Sequence, residues 1–225
     1  EYVSFNRKKA SLNSYYILIG SDKRKEIQAV SMDMWKPYIS STRKYVKDAD
    51  SKIVFDRFHI SRHMNQALDD VRKYENTRLR KSGNDTLAGT KYLWLYAGNN
   101  LPDKQRKRFD ALKSMDLKTG RAYSIKENLR NFWDCTTMEE AEAFWKRWYF
   151  WATHSRLVPI VKKAKMIRDH LAGVMTYFIH RITNAIAEGM NSKIATIQKM
   201  AYGFRNKEHF RTAIYFHCGN LQLYP

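Results

Sequence analysis

The side chains best suited to chemistry in this chain are two carboxylates that stand apart from each other in the sequence. Asp33 ends the apolar run 27–32, and Glu188 lies far downstream between Asn184 and Asn191. A buried strand that delivers an acid at its end, and a helix that presents another, are typical of a divalent-metal phosphodiester site, because hard cations prefer oxygen ligands. In a chain of net charge +19, this pattern favours a nuclease-like active site that faces nucleic acid.

Each acid also has a purely structural interpretation. Asp33 is a candidate N-cap for a helix that begins near Trp35, and its position alone favours that role. For Glu188, the spacing predicts an apolar helix face formed by Ile182, Ile186, Met190, Ile194 and Ile197. The opposite face carries Glu188 together with Asn184, Asn191 and Ser192. An ordinary solvated helix face explains this second pattern at least as well as a catalytic one.

Asp56 and His59 follow the next apolar run, 52–55. If that run pairs with 27–32 in parallel, both residues lie at the same sheet edge as Asp33, where they could supply a metal ligand or a proton-transfer group. The structural interpretation is a helix N-terminus capped by Asp56, with the ring of His59 packed on the sheet. The sequence favours this structural role for His59 and leaves both roles open for Asp56.

The charge balance points to a polyanionic partner. Lys and Arg number 41 against 22 Asp and Glu, and the sequence pI is about 9.9. We expect five cations after Glu188 to face nucleic acid: Lys193, Lys199, Arg205, Lys207 and Arg211. Tyr202 is a candidate to stack on a splayed base, whereas Phe204 and Phe210 are expected to pack inside. The helically spaced tryptophans 133, 145, 148 and 151 are expected in the core.

Other classes of protein fit the composition poorly. Two cysteines outside any CxxC pair give neither a disulfide framework nor a zinc site, which is typical of a reducing cytosol. No apolar segment is long enough to cross a bilayer, so we expect no membrane partner. The chain starts with Glu1 and not Met, and is interpreted as a fragment or a processed sequence.

The periodicity predicts an α/β protein that is rich in helix. Short apolar runs predict strands at 15–20, 27–32 and 52–55, and a helix from Trp35 to Val46 would connect the last two as a parallel strand–helix–strand unit. Three- and four-residue spacing then predicts helices at 57–81, from Pro102 to about Ser114, and at 121–133, 137–152, 156–180, 183–202 and 206–218.

Four blocks of sequence, in order, resemble one family. The segments 29–38, 53–59, 67–72 and 183–206, with its Ala-Glu-Gly-Met-Asn core, are similar to the ISL-three family of bacterial insertion-sequence transposases. The resemblance implies a DDE transposase with an RNase H-like catalytic core, here incomplete, and a large all-α insertion. It assigns residues 1–58 to the N-terminal part of that core, 59–180 to the helical insertion, and 181–225 to the C-terminal helices that carry the glutamate.

The resemblance also implies a site and partners. Asp33 matches the second catalytic aspartate and Glu188 the glutamate, both as ligands of Mg²⁺ or Mn²⁺. Such an enzyme is a DNA strand transferase that cuts and joins double-stranded DNA at element ends and target. We expect it to act as a homo-oligomer on DNA, in the bacterial cytoplasm and associated with the nucleoid.

Two departures from the family pattern leave alternatives open. The family's first aspartate would fall directly before Glu1, and its further strands are missing between Gly20 and Glu26. The family's amino-terminal zinc-binding and helix-turn-helix parts are likewise not found. The rival hypothesis is therefore a non-catalytic DNA-binding remnant of a transposase. An unrelated helical RNA-binding protein would require the resemblance to be accidental.

Overall fold

Two short parallel strands form the sheet edge that the sequence predicts. A computed structural model describes residues 2–97 and 100–219, in which β1 (Val30–Met32) pairs with β2 (Ile53–Phe55). All three residues of β2 are buried, as expected of a strand rich in β-branched and aromatic side chains. Helix α3 (Lys36–Tyr45) connects the strands, with Pro37 in its first turn. The predicted strand–helix–strand unit is confirmed.

The predicted strand at 15–20 is wrong. All of these residues except Ile19 belong to helices α1 (Lys9–Leu18) and α2 (Gly20–Lys25). Only Tyr16 of the run is buried, while Ile17 and Leu18 are 63% and 70% exposed. Tyr16 stacks on Tyr45 and shares a hydrogen bond with the Thr42 hydroxyl at 2.9 Å, which fixes α1 against α3.

The chain divides into two units. The described residues of Glu1–Asp56 and His180–Pro225 form the first unit, and those of Arg57–Ile179 form the second. The second unit is helical: α4 (Arg57–Lys81), α5 (Lys91–Leu95), α6 (Asp103–Lys113), α7 (Lys118–Asn128), α8 (Met138–His154), α9 (Val158–Arg168), α10 (Leu171–Met175) and most of α11 (Tyr177–His180). The first unit adds α12 (Ala185–Met200) and α13 (Lys207–Cys218). No helix in the described ranges is long and apolar enough to cross a membrane.

Several predicted helices have the expected bounds and others are divided. Helix α4 spans 57–81 as predicted, and Thr137 with Glu140 forms the predicted capping box at α8. The segment 156–180 is three helices and not one, since turns at 169–170 and at Thr176 interrupt the α-helical hydrogen bonding. The predicted helix 121–133 begins earlier, at Lys118, and continues as a 3-10 helix over Leu129–Asp134.

The core of the second unit lies where α4 meets α7 and α9. The buried face of α4 carries Ile60, Met64, Ala67, Leu68 and Val71. The indole of Trp148 donates a hydrogen bond to the carbonyl of Ile125 at 2.9 Å. Trp145 is buried as expected, but Trp133 is half-buried and Trp151 is 41% exposed, so the core prediction is wrong for Trp151.

Buried charges tie helices of the second unit together. The Glu75 carboxylate accepts hydrogen bonds from the backbone N–H groups of Lys118 and Thr119, at 2.8 and 2.7 Å, and from the Thr119 hydroxyl at 2.7 Å. It therefore caps α7 from α4. Lys126 donates to the carbonyls of Trp94 and Tyr96 and pairs with Glu127 at 2.8 Å. Burial lowers the pKa of Lys126 despite that partner.

The helices α12 and α13 share a small apolar cluster in the first unit. Ile197, Ile214 and Cys218 are its buried members, and Phe204 stacks on Phe210 beside them, as predicted. The predicted apolar face of α12 is only partly used. Met190 and Ile194 pack against the cluster, whereas Ile186, in the first turn of α12, is 87% exposed.

Candidate metal centre and nucleic-acid surface

Strand pairing places Asp33 and Asp56 side by side. Each follows the last residue of its strand, and those residues, Met32 and Phe55, are direct partners in the ladder. The Asp56 N–H donates to the Met32 carbonyl at 3.2 Å, so the pairing continues for one more step. Each carboxylate offers an oxygen within 4.8 Å of the other. The predicted meeting of these two residues at one sheet edge is confirmed.

The two acids differ in their access to solvent. Asp56 is buried, and the side chain of Asp33 is 25% exposed. The guanidinium of Arg7 lies 3.3 Å from the Asp33 carboxylate. Arg7 is itself mostly exposed, and an ion pair of this kind contributes little to stability. Arg7 thus places an exposed positive charge beside the pair of acids.

The capping interpretation of Asp33 is wrong. Trp35, and not Asp33, occupies the N-cap position of α3, and the Asp33 carbonyl accepts from the Trp35 N–H at 2.7 Å. Asp56 directly precedes α4, and both its capping and its ligand role stay predictions. His59 lies in the first turn of α4, where its ring packs edge-on against that of Phe58.

Glu188 stands in the first turn of α12, with its side chain exposed. Its N–H donates to the Asn184 carbonyl at 2.9 Å, which is part of the helix start. Within the described ranges, the group of potential ligands that contains Asp33 and Asp56 does not contain Glu188. The structure therefore brings two of the three predicted acids together, and the catalytic assignment of Glu188 stays a prediction.

The predicted nucleic-acid surface is mostly open to solvent. Lys193, Lys199, Arg205 and Lys207 are exposed. Arg211 differs from them, because it is half-buried, pairs with Glu208 and lies over the ring of Phe5 at 4.9 Å. It therefore also has a structural role in holding the N-terminal segment on α13.

Sequence reasoning missed Arg7. The residue lies in a polar segment before α1, 26 positions from Asp33, and no spacing rule connects the two. Only the general excess of positive charge could have suggested that a basic side chain would meet the acid.

Comparison with known proteins identifies the class as insertion-sequence transposases. The chain is 24% identical over 212 residues to the transposase for insertion sequence element IS1001 of Bordetella parapertussis, covering 93% of this chain and 52% of that protein. It is also 24% identical over 225 residues to the transposase for insertion sequence element IS1557 of Mycobacterium tuberculosis, covering 89% of this chain and 50% of that protein. The chain thus spans about half the length of the curated relatives it matches.

The family is more specific than the class. A family model described as a transposase, that of the DDE transposases of the ISL-three type, matches residues 2–214. The chain belongs to this family, which confirms the resemblance seen in the four sequence blocks. No solved structure matches the chain significantly.

Proposed function

We propose that this chain is the catalytic portion of a DDE transposase, which cuts and joins DNA at insertion-sequence ends with the help of a divalent metal. One observation carries the proposal: Asp33 and Asp56 lie within 4.8 Å of each other at the carboxyl ends of paired parallel strands. Family membership and the net charge of +19 support it. In this proposal β1, α3 and β2 are part of an RNase H-like core, and residues 59–180 are its helical insertion.

The residues present fit Mg²⁺ or Mn²⁺. Carboxylate oxygens are the donors that hard cations prefer, and two of them already converge. When bound, such an ion supplies Lewis-acid activation of the phosphodiester and of the attacking oxygen. The Asp33 side chain is partly exposed, so an ion can reach it from solvent, and Asp56 is buried beside it.

Glu188 is proposed as a further ligand because of its place in the last family block. Its side chain is exposed on the first turn of α12, so no buried contact has to be broken for it to turn toward an ion. Arg7 is proposed to neutralise Asp33 until an ion binds. Its guanidinium then leaves Asp33 and contacts a DNA phosphate.

The exposed cations of α12 and α13 are proposed to bind the DNA backbone. Each Lys or Arg that neutralises a phosphate releases counterions, so removing one contact lowers the salt dependence of binding by about one unit of slope. The substrates in this proposal are double-stranded element ends and target DNA, bound by a homo-oligomer in the cytoplasm and nucleoid.

The proposal is tested by replacing each acid in a protein that carries this chain. We expect Asp33→Asn and Glu188→Gln to lower Mg²⁺-dependent cleavage of labelled element-end DNA at least about 100-fold and to leave DNA binding within about twofold. Asp56→Asn should weaken Mn²⁺ binding, measured by calorimetry, and its folding is checked by circular dichroism because the residue is buried. Asp50→Asn is the control, since Asp50 pairs with Arg43 on an exposed surface of the same unit.

One observation favours a second candidate, the non-catalytic DNA-binding remnant. Among the described residues, the group of potential ligands that contains Asp33 and Asp56 does not include Glu188. The same assay separates the candidates. Cleavage that survives both Asp33→Asn and Glu188→Gln contradicts the catalytic assignment, and DNA binding without metal-dependent cleavage by the unaltered protein establishes the remnant.

A further inference from the structure

The turn between α12 and α13 presents an aromatic side chain to solvent in an unfavourable backbone conformation. We define the tyrosine turn as residues 199–207. Tyr202 is fully exposed, at 101% of its reference area, and its φ is +50°. Residues other than glycine and asparagine rarely adopt this left-handed conformation, because the Cβ of an L-residue approaches the next carbonyl.

Hydrogen bonds at the end of α12 explain the backbone conformation of Tyr202, but they do not explain why the residue is a tyrosine. The Gly203 N–H donates to the Gln198 carbonyl at 2.9 Å, and the Tyr202 N–H donates to the Lys199 carbonyl at 3.0 Å. These bonds form a Schellman motif at the end of α12, which requires positive φ at Tyr202, a position where glycine or asparagine is preferred. Since the exposed ring gains no burial in exchange, the tyrosine is retained at a cost to folding.

The surroundings of the ring are cationic. Lys199, Arg205 and Lys207 are exposed within five positions of it. The acid closest to it in the sequence, Glu208, pairs with Arg211. The turn also leads into the N-terminus of the twelve-residue helix α13, whose first N–H groups add positive partial charge.

The turn is held on a packed base. Phe204, two residues after Tyr202, stacks on Phe210 with ring centroids 4.9 Å apart, in the cluster that contains Ile197 and Ile214. The tyrosine is therefore displayed by a fixed turn and not by a loose segment. A rigid aromatic ring flanked by exposed cations matches the surface that binds nucleic acid by base stacking.

We propose that Tyr202 stacks on an unpaired base of a DNA strand, with Lys199 and Arg205 contacting the phosphates on either side of that base. This proposal rests on the proposed function and adds to it a preference for DNA in which a base has left the duplex stack. It separates the roles within the surface: the cations contribute binding to any DNA, and the ring contributes binding to the displaced base alone.

The test compares Tyr202→Asn with Tyr202→Phe on two DNA ligands. One ligand is a hairpin with a single unpaired 2-aminopurine, and the other is a fully paired duplex of the same length. Stacking on one ring predicts that Tyr202→Asn weakens binding to the unpaired base about 10-fold and abolishes its fluorescence quenching, with duplex binding within about twofold. Tyr202→Phe should retain both properties. Because asparagine suits the turn, Tyr202→Asn should have an unchanged or higher Tm.

Tyr74→Ala is the matched control, because Tyr74 is also well exposed but lies on a helix of the second unit. Unchanged binding to the unpaired base in Tyr202→Asn overturns the stacking role while leaving the proposed function intact. An equal loss on both ligands overturns it as well, since this would indicate a general contact. Failure of the unaltered chain to bind either DNA overturns the proposed function along with it.

Discussion

Replacing Glu75 with alanine should destabilise the second unit strongly, although the residue is far from any proposed catalytic group in the sequence. The carboxylate accepts three hydrogen bonds of 2.7–2.8 Å, two of them from the first N–H groups of α7. The N-cap residue of α7 is Leu117, whose apolar side chain has no acceptor that could replace the carboxylate. Truncation leaves the Thr119 donors buried without an acceptor, because that residue has no exposed surface.

The size of the effect follows from these contacts. A buried donor that loses its acceptor costs about 1–3 kcal/mol, and a carboxylate at a helix N-terminus adds roughly 0.5 kcal/mol. We therefore expect Glu75→Ala to lower the free energy of unfolding by about 3 kcal/mol, and Tm by roughly 6–12 °C. Glu75→Gln keeps one oxygen acceptor but turns an amide donor toward the remaining N–H and O–H donors. We therefore expect it to lower the free energy of unfolding by about 2 kcal/mol.

Urea unfolding followed by tryptophan fluorescence is a suitable measurement, because five of the six tryptophans lie between residues 57 and 179. Glu142→Ala on the exposed face of α8 is the control, and surface changes of that kind stay within about 0.5 kcal/mol. A loss below about 1 kcal/mol for Glu75→Ala would refute the reasoning, because it would mean that water satisfies the start of α7 equally well.

Three further predictions concern pH and helix capping in the same unit. Burial raises the pKa of Tyr123 to about 12. The contribution of this shift to stability is complete below about pH 10 and is lost as the pH rises toward 12. Tyr123→Phe should remove that loss, as measured by urea unfolding between about pH 9 and 12. Burial acts to raise the pKa of Asp69, but its hydrogen bonds and ion pairs with Arg72 and Lys73 outweigh burial, so the pKa lies below its usual value. Stability should therefore fall as pH drops below about 4, and Asp69→Asn should lose about 3 kcal/mol at neutral pH, because Arg72 is left buried without its carboxylate. Thr137→Ala removes the cap of α8 and should cost about 1 kcal/mol in the same unfolding assay, with a loss near zero contradicting the role of the capping box.

The sheet edge was predictable from sequence because its signals are local. The runs before Asp33 and Asp56 are short and apolar, and a proline-started helix between them leaves a parallel arrangement as the natural one. The run 15–20 has the same appearance but folds as helix, because an apolar run of six residues does not distinguish a strand from a partly buried helix. Only the packing of Tyr16 on α3 decides between them.

Tertiary contacts limited the prediction of α12. Its 3.6-residue pattern predicted the helix well, but periodicity gives the direction of a face and not whether another element covers it. Ile186 is therefore exposed while Ile197, on the same predicted face, is buried. The distance between Glu188 and the aspartates could not be predicted for the same reason, since it depends on how the last helices pack and no local sequence signal determines it.

The ladder between β1 and β2 makes the spacing of the acid pair a matter of register. Met32 pairs with Phe55, and the residue directly after each of them is an aspartate. The pairing therefore places the two aspartates next to each other. Lengthening or shortening the crossover helix leaves that match unchanged, whereas inserting one residue into either strand turns its carboxylate to the opposite side of the sheet. During evolution, we therefore expect insertions and deletions to accumulate in the segment from 34 to 52 and to be eliminated from the six strand positions.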